Sequence, residues 1–148
     1  MMGLLGGLLS DAAGAIGEAG RRVRTAKREQ ANMSPELQQA IERLIQQAEA
    51  GDIEAMGRLA DAYIEGTQLR YDPDEACRWW TAAAQAGHVN SMYNLGLLYH
   101  GDVSKHYFNP ELAGYWLSEA SIRGDIEAKE VLDRHYKYSN FSQKWKRR

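Results

Sequence analysis

Apolar positions recur along this chain at helical spacing, in blocks punctuated by glycine. Ala55, Leu59 and Tyr63 fall at i, i+4 and i+8, so they share one face of a helix. Leu95 with Tyr99, and Leu132 with Tyr136, repeat the same interval further on. A second kind of block opens on Asp72-Pro73, an N-cap followed by proline at the first helical position, and carries Ala76, Trp80 and Ala83 inward with Trp79 beside them. Asn109-Pro110 opens its counterpart, with Ala113, Trp116 and Ala120. Gly51, Gly87 and Gly124 stand where these second helices must stop and supply the left-handed conformation that a β-carbon disfavours. Before Gly51, Ser34-Pro35 caps a lone helix through Leu37, Ile41, Leu44, Ile45 and Ala48. After Gly124 a single helix is predicted, to about Tyr136.

The pentapeptide GDIEA occurs at 51–55 and again at 124–128, a separation of 73 residues. The midpoint falls on Gly87, so the three glycines are spaced 36 and 37 apart. The extra residue of the second copy lies between Tyr99 and Pro110, where a loop absorbs it. A period of this length with this regularity is the mark of stacked helix pairs. The echo therefore marks a structural unit built more than once, not a doubled active site. Small alanines facing large Tyr and Trp rings allow neighbouring helices to interlock.

Composition changes the picture at the two ends. Residues 31–136 hold 17 acids and 8 bases, residues 1–30 hold 3 acids and 5 bases, and residues 137–148 hold 5 bases and no acid. An acidic body of this kind is a poor nucleic-acid binder as a whole. Residues 1–30 place Leu4, Leu5, Leu8, Leu9 and Ile16 on one helical face, followed by a basic stretch from Arg21 to Arg28. Six glycines in the first twenty residues each cost roughly 1 kcal/mol in a helix relative to alanine, so the stripe needs something to pack against. The candidates are the open end of the helical array, a second chain, another protein or a membrane surface. Residues 137–148 mix aromatics with bases; Tyr138, Phe141 and Trp145 are spaced to cover the last helix, with a nucleic-acid or anionic-membrane contact through Lys144, Trp145, Lys146, Arg147 and Arg148 as the alternative. The expected organisation is thus an N-terminal segment 1–30, a repeat body 31–136 and a C-terminal tail 137–148. No stretch approaches the length of a membrane span, and MMGLLGGLL lacks the positive leader of an export signal. The expected location is cytoplasmic.

Candidate chemistry is sparse. Cys77 is the single cysteine, follows core Ala76 and has no base near it in sequence. His88, His100, His106 and His135 lack metal-ligand spacing, and neither a phosphate-binding glycine loop nor a nucleophile elbow is present. Asp72, Asp74 and Glu75 read as acids favoured by a helix N-terminus. No catalytic, cofactor or metal site is expected. In the loop 102–109, Tyr107 and Phe108 beside Lys105 and His106 are expected to tuck under the chain, with exposure toward a partner as the alternative.

At this level of detail the order Ala-x3-Leu-Gly/Ala-x2-Tyr-x2-Gly, then Asp, Ala-x2-Trp, Ala-Ala and Gly resembles the Sel-one-like repeat of the tetratricopeptide-like α-solenoids. The first unit carries it as Ala55, Leu59, Ala60, Tyr63, Gly66, Asp72, Ala76, Trp79, Ala83, Ala84 and Gly87. The second carries Leu95, Gly96, Tyr99, Ala113, Trp116, Ala120 and Gly124. Departures lie in the loops, Gly66–Leu69 and HGDVSKHYF. The resemblance implies an all-α, short α-solenoid of antiparallel helix pairs, about two full repeats plus terminal half-repeats. It implies a non-enzymatic adaptor or scaffold that binds a protein partner on the concave face. By analogy with related repeats the first helix of each pair lines that face. Away from the Leu/Tyr core face this leaves Arg58, Asp61 and Ile64, then Tyr93, Asn94, Leu97 and His100, then Glu130 and Arg134. Leu97 packing on a neighbouring helix is the alternative. An immunity-type inhibitor of a toxin, suited by the acidic body to a basic partner, and a structural subunit of a secretion or other large assembly are the other two readings.

Overall fold

The computed structural model describes residues 33–136, and the chain divides into two units with the boundary between Ala86 and Gly87. In the first unit, helices α1 (Pro35–Glu49), α2 (Ile53–Glu65) and α3 (Pro73–Gln85) follow one another, with α1 packed on α2 and α2 on α3. In the second, α4 (Val89–His100) leads through a 3₁₀ turn (Lys105–Tyr107) to α5 (Pro110–Ile122) and α6 (Ile126–His135). There α5 packs on both α4 and α6, and α4 also touches α6.

The GDIEA pentapeptide folds the same way twice. Its glycine takes the left-handed conformation, at φ 96° in Gly51 and 97° in Gly124. The aspartate then caps the next helix: Asp52 accepts from the Ala55 amide at 2.9 Å and Asp125 from the Ala128 amide at 2.8 Å. Such a cap is worth about 1 kcal/mol over alanine. The alanine is buried in both copies. At the middle copy His88 makes no side-chain cap bond; its Nδ1 lies 2.7 Å from the Ser91 hydroxyl instead. Ser34, Asp72 and Asn109 cap the three helices that begin with proline, accepting at 3.3, 3.1 and 3.1 Å. First helices α2 and α4 end on left-handed glycines as well, Gly66 and Gly101.

Each unit builds its core where the repeat places it. In the first, Leu59, Tyr63, Trp79 and Trp80 are buried with Ala76 and Ala83. In the second, Met92, Leu95, Leu98 and Leu117 are buried with Ala113 and Ala120. Gly96 shows how close the helices come: a β-carbon there would sit 2.5 Å from Cγ of Leu117 on α5. The loops also close alike, since the Asp72 amide donates to the Tyr63 carbonyl at 3.1 Å and the Asn109 amide to the Tyr99 carbonyl at 2.8 Å. Buried Leu69 pins the first loop. The second loop takes up its extra length in the 3₁₀ turn, where Ser104 accepts from the His106 amide at 3.3 Å. The expectation that the loop aromatics tuck under it is corrected. Tyr107 is half-buried, but Phe108 is 60% exposed, its ring lying beside Gly101 at the end of α4.

The first and last described helices, α1 and α6, differ from the others at defined positions. Where Trp79 and Trp116 are buried eight residues before a repeat glycine, α1 carries exposed Arg43. Where Met56 and Met92 are buried five residues after one, α6 carries exposed Lys129. Where Ala60 and Gly96 are buried nine residues after, α6 carries exposed Asp133. Arrays of repeats end in helices with a polar outer face of this kind.

Tyr63 adds a titration signature. Its hydroxyl is buried without a hydrogen-bond partner, and burial first, then the Glu75 and Asp72 carboxylates, push its ionisation well above the usual 10.0. A raised pKa means the unfolded chain releases this proton first, so the contribution is intact below about pH 10 and is lost as pH climbs toward the folded value. Tyr63→Phe is expected to cost little or nothing at pH 7, since a bare buried hydroxyl is removed. The same variant should retain more stability than the parent above about pH 10. Thermal melts between neutral and alkaline pH check both signs.

Candidate protein-binding surface

In the first unit the three candidate residues do different things. Arg58 is exposed on α2 and Ile64 is half-buried. Asp61 accepts from the indole N–H of Trp80 on α3 at 2.8 Å, so it ties the two helices of the pair together. Counting positions on a single helix missed this, because the donor lies 19 residues away on another one. The equivalent positions in the second unit are Leu97 and Leu117, so the polar link has no counterpart there. Asp61→Leu alone is therefore expected to lose about 1–3 kcal/mol by stranding the buried indole N–H. Adding Trp80→Leu should recover part of that hydrogen-bond loss, which a double-mutant cycle by chemical denaturation measures.

The second unit gathers the larger set. Tyr93, Asn94, Leu97 and His100 lie half-buried along α4, while Glu130 and Arg134 are exposed on α6. Two side-chain bridges fix one helix beside the other. Tyr93 hydrogen-bonds Glu127 in the first turn of α6; burial first, then the nearby carboxylates led by Glu127, raises its phenol above the usual 10.0. Nδ1 of His100 lies 2.7 Å from the Tyr136 hydroxyl, and its ring centroid is 4.7 Å from that of His135. Burial and the Asp102 carboxylate push the Tyr136 phenol up to about 12. Both bridges advance along the chain in the same sense, so α4 and α6 run side by side and parallel. Leu97, half-buried between the bridging residues, presents an apolar surface beside Asn94.

Two aromatics outside the predicted set also reach solvent. Tyr71 is 50% exposed and Phe108 is 60% exposed, and each immediately precedes the N-cap of its unit's second helix. Each packs over the left-handed glycine ending the first helix. The signal was present in the sequence as an aromatic before Asp72 and before Asn109, but the loop lengths differ and hid it.

Other chemistry stays sparse. Cys77 is half-buried on α3, where its carbonyl accepts from the Thr81 hydroxyl at 2.7 Å. Among the described residues no three His, Cys, Asp or Glu side chains are placed to hold a metal ion. Among them, too, no helix is long and apolar enough to cross a membrane. The leucine stripe of residues 1–30, with Leu4, Leu5, Leu8, Leu9 and Ile16, and the aromatic tail lie outside the described residues.

Set against protein families, residues 53–88 and 89–125 each match the Sel1 repeat. The chain carries two Sel1 repeats. The matches begin at the first residues of α2 and α4, so each unit holds one repeat, with α1 added before the first and α6 after the second. The fold class is accordingly an all-α, short solenoid of Sel1 repeats. Sel1 repeats mediate contacts between proteins and are typically non-enzymatic. Among curated proteins the chain finds no match.

Proposed function

We propose that this Sel1-repeat chain is a non-enzymatic adaptor whose first helices bind a protein partner and whose residues 1–30 anchor it. The observation that carries the reading is the α4 strip. Leu97 is flanked by Asn94 and by two side chains, Tyr93 and His100, that α6 holds in place through Glu127 and Tyr136. An apolar anchor with a fixed polar fringe suits a peptide or helix, because little side-chain entropy is lost on binding. Arg58 and Ile64 in the first unit, and Glu130 and Arg134 on α6, supply the remainder of the fringe. Asp61 serves from behind by fixing Trp80.

The net charge of −9 over residues 31–136 favours a basic partner, as an inhibitor masking a basic toxin would require. The leucine stripe of residues 1–30 favours a fixed place in a larger assembly or at a membrane surface. Capture by the tagged full chain, followed by calorimetry on the purified pair, tests the proposal. A stoichiometric complex with no chemical change in the partner supports it, and a transient complex with turnover of the partner contradicts it.

A further inference from the structure

The solvent face of α6 is the second unit's unfinished surface. Ile126, Lys129 and Asp133 fall at i, i+3 and i+7 and are all exposed, Ile126 to 71%. In α4, position Gly96, the counterpart of Asp133, meets Leu117 of the second helix of its own pair. The same face of α6 thus points where a second helix would lie, yet charged residues replace the small and apolar ones. Ile122, the last residue of α5, is 78% exposed just across the turn from Ile126. Such a pair of isoleucines is the apolar end of a seat whose exposed charges on this face of α6 are Lys129, Glu130 and Asp133, two acids and one base.

We propose that this seat is occupied by the chain's own C-terminal segment, residues 137–148, running back along α6 with Trp145 over Ile126 and Ile122. Reach permits it. Ile126 and Tyr136 are about 15 Å apart along the helix axis. The nine residues from Tyr136 to Trp145 span about 14 Å if helical and up to about 30 Å if extended, so a reversed helical segment brings the indole level with the isoleucines and a fully extended one would pass them. Charge agrees, because the segment carries five bases and no acid against a seat of net −1. The aromatic spacing agrees too: Phe141 falls midway, over the aliphatic stem of Lys129, and Tyr138 stays near the end of α6. A ladder of aromatics and bases fits this charged face, whereas the alanine-rich second helices of the repeats do not.

Cysteine pairing in the full chain tests the placement. In a Cys77→Ser background, Lys129→Cys with Gln143→Cys is compared with Val103→Cys with Gln143→Cys under a mild oxidant at low protein concentration. Val103 is also partly exposed in the same unit, but on the loop after α4. The proposal expects an intramolecular disulfide at Lys129 at least about tenfold faster than at Val103, because docking raises the local thiol concentration. Asp133→Lys should slow it, and so should added salt. Equal rates at the two sites would overturn the proposal. So would a disulfide that forms only between chains and accelerates with concentration, which would make the occupant a second copy. Because Lys129 and Val103 are both solvent-exposed, the substitutions leave the buried core untouched, and circular dichroism confirms the fold of each variant.

Discussion

Replacing Trp79 or Trp116 by alanine is expected to destabilise the protein by about 3–5 kcal/mol in either case. The two are equivalent positions of the two Sel1 repeats, each eight residues before a repeat glycine, and both are buried, Trp79 to 1% exposure. Each is set among alanines of its own helix, Ala76 and Ala83 in α3, Ala113 and Ala120 in α5, which are themselves fully buried. Alanine has no side chain to swing into the void an indole leaves, so the cavity stays open and its cost adds to the lost transfer energy. Trp79 offers one further discrimination. Its indole N–H is buried with no hydrogen-bond partner, so the loss there is packing alone, and Trp79→Phe should restore most of it. Equilibrium denaturation of the three single variants checks this. A loss below about 1 kcal/mol at either position, with the fold intact, would show that the two repeats are not packed alike.

Removing residues 1–30 is expected to leave the repeat body folded and to abolish its attachment. The described helices bury their own core from Ile41 onward, and Ser34 caps α1 without help from upstream. The stripe of Leu4, Leu5, Leu8 and Leu9 contributes about 1.5–3 kcal/mol per leucine only where it meets a surface. Leu8→Glu should reproduce much of the loss, because an unpaired charge in an apolar contact must be desolvated. Ionic strength separates the two modes of attachment: binding to anionic vesicles through Arg21–Arg28 falls steeply with salt, and a leucine-packed protein contact does not. Sedimentation of the full and shortened chains, with and without vesicles, gives the result. Unfolding of the shortened chain would instead make the segment a structural cap on α1.

The helices, their caps and their packed faces were legible in the sequence because each depends on neighbours within one turn. Asp52 and Asp125 reach amides three residues on, and Pro73 and Pro110 preset the first turn of their helices. The binding surface was legible only in outline. Periodicity gives the side of a helix a residue occupies, and so picked out Asp61, Tyr93 and His100, but it does not give the partner on the next helix. Asp61 turned out to hold Trp80, Tyr93 to meet Glu127, and His100 to meet Tyr136 across 36 residues. The loops were least legible. Gly66 and Gly101 end their helices alike, but a buried leucine closes one loop and a 3₁₀ turn the other, and Phe108 is left outside.

The most direct test of the adaptor reading is the affinity of the purified partner for Leu97→Glu. This side chain is half-exposed at the centre of the α4 strip and makes neither bridge to α6, so the variant should melt close to the parent. The account predicts that binding weakens by about 2 kcal/mol or more, roughly thirtyfold in Kd, while Arg70→Glu on the loop after α2 binds as the parent does. Undiminished affinity of a folded Leu97→Glu chain would contradict it and move the contact off the first helices.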